Sequence, residues 1–337
     1  MSIDVEKLIQ PLSEESPAGE NLEYDNAFTT MEREAEGKPE QQMGDSVVEA
    51  EGPNWKEVKT HALDVLERSR DIRAVVYLAR AVLATEGVAA FADGLALVRG
   101  YLENLWEPFH PQLDPDDEFD PTMRVNALSA IADADATVKE FREAALVTSQ
   151  VMGKFSLRDV EIANGTTPAP ADPEAEVPNM QAIDAAFLEA ELEGLQATAD
   201  AVNTSIEHMG AIEAKVVELA GVHYAIDFFP MTKELKAANV ILSEQLARRG
   251  VGEAVEGEAA VGADGNPITG EVRTREDVMR VLDKCCDYFA RNEPSSPVPL
   301  LLQRAKRLVS KNFMEIMADL APSGVAEAEV FRGLDSE

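Results

Sequence analysis

Asn54-Trp55-Lys56-Glu57-Val58-Lys59-Thr60-His61-Ala62-Leu63-Asp64-Val65-Leu66-Glu67-Arg68-Ser69-Arg70-Asp71-Ile72-Arg73-Ala74-Val75-Val76-Tyr77-Leu78-Ala79-Arg80-Ala81-Val82-Leu83-Ala84-Thr85-Glu86-Gly87 decides the fold class. Trp55, Val58, Ala62, Val65 and Leu66 recur at three- and four-residue steps, which line one face of a helix and fit no strand. Asn54 with Glu57 at the third helical position reads as a cap, and the helix should end near Ser69. Asp71 is placed to cap the next helix, whose core face is Ile72, Val75, Val76, Ala79, Val82 and Leu83. Gly87 stands where a helix-ending glycine belongs. Working outward, Phe91, Leu95, Val98, Leu102 and Leu105 predict a third helix. Asp120-Pro121 predicts the start of a fourth, since proline's missing N–H is harmless in a first turn. Helices joined by such short turns pack as antiparallel neighbours, so residues 1–163 are expected to form a helical domain.

The rest of the chain continues the pattern between two breaks. Pro168, Pro170, Pro173 and Pro178 predict a linker over 164–179. Just before it, Phe155 to Ile162 reads as a short strand or an extended docking segment. Leu188, Leu192, Leu195, Ala199, Val202, Ile206, Met209 and Val216 form a seam broken only at Glu213. It predicts one long helix from Met180 to Leu219, a core helix of a bundle or a self-association surface. A helix from Met231 to Arg249 follows Pro230 with Leu235, Ala238, Leu242 and Leu246 as its stripe, closing a middle region over 180–249. Six glycines between Gly250 and Gly270 predict a second linker, 250–272. The last module, 273–322, is a helical hairpin before a tail at 323–337. Thr274 with Asp277 caps its first helix, whose face is Val278, Val281, Leu282, Cys285 and Phe289. The stretch Asn292 to Pro299 forces a turn, and Leu301, Leu302, Ala305, Leu308, Val309, Phe313, Ile316, Met317 and Leu320 line the second helix. That arc is too wide for one partner helix, and a hairpin of this size has little interior of its own. Val278, Val281, Leu282, Phe289, Leu301, Leu302, Leu308, Val309 and Phe313 are therefore the expected self-association residues.

Charge points the same way. The 337 residues carry 30 Lys and Arg against 63 Asp and Glu, a net charge of -33. Such a balance excludes a broad nucleic-acid surface and a polybasic membrane anchor. Between Glu271 and Asn312, however, nine cations face six anions, leaving 21 against 57 elsewhere. A mildly basic, apolar hairpin thus ends a strongly acidic chain. Met1 to Leu12 includes Asp4 and Glu6 and lacks the apolar core of a secretory signal, and no window is apolar enough for a membrane span. The two cysteines, Cys285 and Cys286, are adjacent and suit a reducing compartment. A cytoplasmic protein is the expectation.

Catalytic chemistry is not expected. Of four histidines, His61 lies beside an apolar helix face, His208 within the seam and His223 after Gly221. None of these three has a metal-ligand partner at a suitable spacing. Gly153-Lys154 lacks the rest of a phosphate loop, and Gly250-Val251-Gly252 is followed by glycine at the wrong distance. The run Asp114-Pro115-Asp116-Asp117-Glu118-Phe119-Asp120 places Phe119 where a calcium loop needs glycine. It reads as a solvated, helix-capping loop, and neither metal nor cofactor is expected.

Longer motifs bring a resemblance. Leu12 to Asp25, Glu51-Gly52-Pro53-Asn54-Trp55, Gly94 to Leu102, Leu105 to Asp116 and Asp120 to Leu128 occur in the order seen in the ImpA N-terminal domain. Within them Trp106, His110, Pro111 and Asp114 are the most specific positions. Glu293-Pro294-Ser295-Ser296-Pro297-Val298-Pro299-Leu300-Leu301, with Arg304 to Leu308 and Leu320 to Pro322, resembles the C-terminal domain of short TssA proteins, with Pro294, Pro297 and Pro299 as its markers. The resemblance implies a cytoplasmic, non-enzymatic component of the bacterial type VI secretion system. In that family the C-terminal domain forms a homo-oligomeric ring resembling a phage baseplate protein. The assembly helps build the baseplate and prime the tail tube and sheath, whose subunits are the implied partners. The competing reading is a monomeric acidic adaptor that recruits basic partners. A hydrolase acting through Asp114–Asp120 is a third, without a second catalytic group to support it.

Overall fold

A computed structural model describes residues 3–38, 41–43, 46–48, 50–169, 177–251, 298–309 and 311, with helical pieces at 278–279, 281–282 and 285–286. The chain divides into two units, Met1–Gly257 and Glu258–Glu337. The first unit is mostly helical: α1 (Val5–Leu8), α2 (Asn26–Glu36), α3 (Trp55–Arg68), α4 (Ile72–Glu86), α5 (Val88–Asn104), α6 (Thr122–Ser129), α7 (Thr137–Glu143), α8 (Leu157–Ala163), α9 (Met180–Glu189), α10 (Leu192–Ala220) and α11 (Phe229–Arg248). Two antiparallel hairpins add β1 (Gln41–Met43) with β2 (Ser46–Val48), and β3 (Ala145–Ser149) with β4 (Gly153–Ser156). An all-α expectation therefore needs these hairpins added. The short-strand reading of Phe155–Ile162 holds only to Ser156, where the Ser156 side chain and Asp159 close a capping box and α8 begins.

Helices α2 to α5 pack each on the next, α10 lies against α5, and α11 against α10. Sequence periodicity dictates most of this. Val58, Ala62, Val65 and Leu66 of α3 are buried, and α4 is apolar around so much of its circumference that nine of its residues are buried. Gly94 lets α5 approach α4 closely, since an added Cβ would lie 2.8 Å from both Cα and Cβ of Ala79. The predicted cap at Asp71 forms, accepting from Arg73 N–H at 2.9 Å, and Gly87 ends α4 at φ 90°. Asn54, by contrast, makes no side-chain cap bond to α3. Its backbone N–H is drawn to Glu34 O at 2.9 Å, tying α3 to α2 instead.

The long helix predicted from Met180 is two helices. Ala190 and Glu191 adopt extended backbone, and Arg249 reaches across from the end of α11 to donate to Phe187 O (3.1 Å) and Ala190 O (2.7 Å). Phe187 stands in the last turn of α9 and Ala190 is its C-cap residue, so the break is capped from outside. The seam also changes phase. Leu188 is 71% exposed and Ile206 half-buried, while Ser205 and Ile212 join Leu195, Ala199, Val202, Met209 and Val216 in the buried face. Ile212 carries the stripe past Glu213. The predicted 164–179 linker is flanked by segments that share one continuous core, since buried residues of α9, α10 and α11 pack with those of α3, α4 and α5.

In the second unit, α12 (Val298–Leu308) has no buried residue. Leu300 and Leu301 are 69% and 66% exposed, and Leu302, Leu308 and Val309 are half-buried. The turn expected to run through Pro299 ends sooner, because α12 starts at Val298 and takes Pro299 into its first turn, where no N–H is needed. Val278, Val281, Leu282, Cys285 and Cys286 have helical backbone and are half-buried. The proposed cap at Thr274 and Asp277, together with Phe289, Pro294, Pro297 and Phe313, lies outside the described residues.

Candidate functional site

Three motifs far apart in sequence meet at one node of the first unit. The N-terminal segment runs over the α3–α4 junction, where Arg70 N–H donates to Ala18 O at 2.7 Å and the Ser69 hydroxyl donates to Glu20 O at 2.7 Å. His110, 4% exposed, stitches both: its N–H donates to Arg70 O (2.8 Å), its carbonyl accepts from Ile72 N–H (3.0 Å), and Nε2 lies 3.2 Å from Gly19 O. Gly19 has φ 70°, and a Cβ there would meet Arg68 O at 2.3 Å, so only glycine fits this crossing. Asp25 caps α2 through Ala27 N–H (2.8 Å) and pairs with Arg68 at 3.0 and 3.1 Å, which holds its carboxyl down at about 2.

Two buried arginines hold the node. Arg70 donates to Gln10 O at 2.7 Å and to Leu66 O. Arg124, 1% exposed, stands under the Trp106–Pro111 turn and donates to the carbonyls of Trp106, Phe109 (2.8 Å) and Pro111 (2.7 Å). Its guanidinium carbon sits 4.1 Å from the Phe109 ring centre and 4.8 Å from that of Trp106, and the two rings meet edge to face. Burial pulls its pKa down to about 10, which still leaves it charged near neutrality. The turn's carbonyls point inward because α5 has ended and no helix bonds remain for them, and the planar fork satisfies all three. The His110–Pro111 peptide is cis.

The motif residues are thus spent on architecture. Trp106 is 8% exposed and completes the core stripe of α5. Asp114 accepts from Asp116 N–H at 2.8 Å and is exposed. Asp120 accepts from Thr122 N–H (2.9 Å) and from the hydroxyls of Thr122 (2.7 Å) and Tyr224 (3.1 Å), which lower its pKa. These exposed carboxylates cap turns. His61 lies 3.8 Å from Glu57, His208 is half-buried with its pKa lowered by burial and Arg99, and His223 is exposed. Among the described residues no group of three or more His, Cys, Asp or Glu is placed to hold a metal, and no helix is long and apolar enough to cross a membrane. Arg70 and Arg124 were not singled out from sequence. The signal was an arginine at a helix junction and another one turn into a helix beside the His-Pro motif.

The most specific residues of this node therefore bind the chain's own backbone. Residues 9–133 match the family described as ImpA, N-terminal, type VI secretion system. The chain is 38% identical to the type VI secretion system component TssA1 of Pseudomonas aeruginosa, over 99% of this chain and 100% of that protein. It belongs to the TssA family of type VI secretion system components. The solved N-terminal domain of the TssA component from Burkholderia cenocepacia, which includes the conserved ImpA region, has the same fold: TM-score 0.59 at 23% identity, covering 75% of this chain and 97% of that one.

Proposed function

We propose that the protein is a non-enzymatic, cytoplasmic scaffold whose C-terminal unit assembles into a homo-oligomeric ring. The ring associates with the baseplate and helps assemble and prime the tail tube and sheath, whose subunits are its partners. The observation that carries this reading is α12, an amphipathic helix with leucines at 300 and 301 in solvent and no residue buried within a single chain. An apolar arc of that kind is stable in water when another surface covers it. A second copy supplies a matching one, and symmetric self-association is the common solution. The uneven charge supports it too, because acidic remainders carrying 57 anions repel one another and are best kept outside a mildly basic assembly core.

Light scattering and native mass spectrometry of the full chain test this directly. A large, discrete oligomer is expected, and a monomer at micromolar concentration refutes the ring and leaves the acidic adaptor. Leu301→Asp with Leu308→Asp should collapse the particle mass while the helical signal of the first unit is retained.

A further inference from the structure

We propose that the α9–α10 break is a conformational switch: Arg249 keeps the two helices apart, and its release lets them fuse into one. Nothing local in the sequence ends α9 or starts α10. Residues 187–193 read Phe-Leu-Glu-Ala-Glu-Leu-Glu, without the Gly, Pro, Asn, Asp, Ser or Thr that ordinarily stops or caps a helix. Ala190 and Glu191, the two residues in extended backbone, are strong helix formers. Glu191 is the N-cap of α10, yet it makes no side-chain cap bond, and its N–H has no backbone partner among the described residues. The φ angles of the pair, -54° and -60°, are already helical. Only ψ, at 149° and 128°, separates the broken chain from a continuous one. Local preference and observed backbone thus disagree here, and such conflicts concentrate at functional sites.

The opposing weight is tertiary, and Arg249 is placed to hold it. In a continuous helix Phe187 O would accept from Glu191 N–H, and Ala190 O from Gly194 N–H. Those are the two carbonyls to which Arg249 donates, at 3.1 and 2.7 Å. Gln245 and Arg248, from the same end of α11, donate to Asp184 of α9 at 3.0 and 2.9 Å. Ile183, Ala186 and Phe187 are buried where α9 packs on β3, β4, α8 and α11, which makes the broken form the resting one. Fusion aligns Leu188, now 71% exposed, with Leu192, Leu195 and Ala199 at steps of four, three and four. The fused helix would run about 60 Å from Met180 to Ala220.

Its place in the chain makes Arg249 the trigger. It is the C-cap residue of α11 and lies beyond Leu246, the last buried residue of that helix. Gly250 follows at φ 76°, and the chain runs on toward the second unit, which begins at Glu258. A displacement of this exit segment would draw Arg249 off the break before it disturbed the packed part of α11.

The test is thiol labelling of the full chain carrying Ala186→Cys, read by mass spectrometry on the peptide that contains position 186, so that Cys285 and Cys286 do not interfere. Ala186 is 0% exposed, and the labelling rate at its position reports the population in which α9 has left its seat. Arg249→Met should raise that rate at least tenfold; an unchanged rate overturns the proposal. Glu191→Gly, added to Arg249→Met, separates fusion from simple loosening. Glycine disfavours a helix interior and should lower the rate about fivefold, whereas at a loosened hinge it would raise it. A raised or unchanged rate overturns the switch. Glu191→Pro suits the observed φ and the extended residue before it, but forbids a continuous helix. In the chain with Arg249 intact it should slow labelling at least tenfold, and an unslowed rate is fatal to the proposal even if Arg249→Met misfolds.

Discussion

Replacing Arg124 by methionine removes the clamp on the Trp106–Pro111 turn while keeping a flexible side chain against both rings. Three carbonyls lose their donor. Hydrogen bonds to a charged group contribute about 1.5–3 kcal/mol each, so the gross loss is roughly 5–9 kcal/mol. Against this stands relief from burying a guanidinium that makes no ion pair among the described residues, a penalty of several kcal/mol. The net expectation is a destabilisation of about 3–4 kcal/mol, which for a unit of this size lowers the melting temperature by roughly 10 °C. Lysine has one nitrogen in place of a fork and cannot span carbonyls on three residues, so Arg124→Lys should fall between. Urea unfolding followed by far-ultraviolet circular dichroism measures both, with the midpoint moving and the slope unchanged. An Arg124→Met chain within 1 kcal/mol of wild type would refute the clamp, since it would mean that water serves those carbonyls as well.

Other consequences are simpler to state. Gly94→Val forces branched bulk against Ala79 and should cost about 2–3 kcal/mol by the same unfolding assay. Asp25 has a folded pKa near 2, below its unfolded value, so its pairing with Arg68 stabilises above about pH 4 and is lost as pH falls toward 2; Asp25→Asn should flatten that part of the stability curve. His208 is also held below its unfolded pKa, so stability is fully present above about pH 6.5 and declines as pH falls toward its folded value; His208→Gln should remove that decline, checked by melting from pH 7.5 to 5. A protease site inserted within 170–176 should yield two fragments that still elute together, because α10 and α11 share the core of α3 to α5.

How much of this was legible in the sequence depends on what each feature rests on. Helices α3, α4 and α5 were plain because local periodicity and core burial coincide: Val58, Ala62 and Val65, or Leu95, Val98 and Leu102, face the core wherever their neighbours lie. The α9–α10 break was invisible because its cause, Arg249, is some sixty residues away. The seam's phase was misread for a related reason. Ser205 is buried with its hydroxyl bonded to Ala201 O at 2.7 Å, so a polar letter stood at a core position while Leu188 stood at an exposed one. Asn54 makes no side-chain cap, and its backbone N–H, the donor that a capping-box partner at Glu57 would use, goes to Glu34 O instead. The Trp106–Asp114 motif was conspicuous as a string, yet its logic lay in Arg124 and Gly19, which only the fold brings to it.

The shared core of α5 and α10 also has a mechanical meaning. Residues on either side of the 164–179 segment lean on each other through packed side chains, and Arg142 of α7 ties α8 to α11 by reaching Glu161 and Glu234. Close-packed interiors are stiff and transmit displacement instead of absorbing it. A push delivered to α11 would therefore arrive at the Asp114–Asp120 loop, where Tyr224 already holds Asp120, much as one end of a rod answers the other. Within the first unit, such a body carries a displacement from one side to the other without repacking its core.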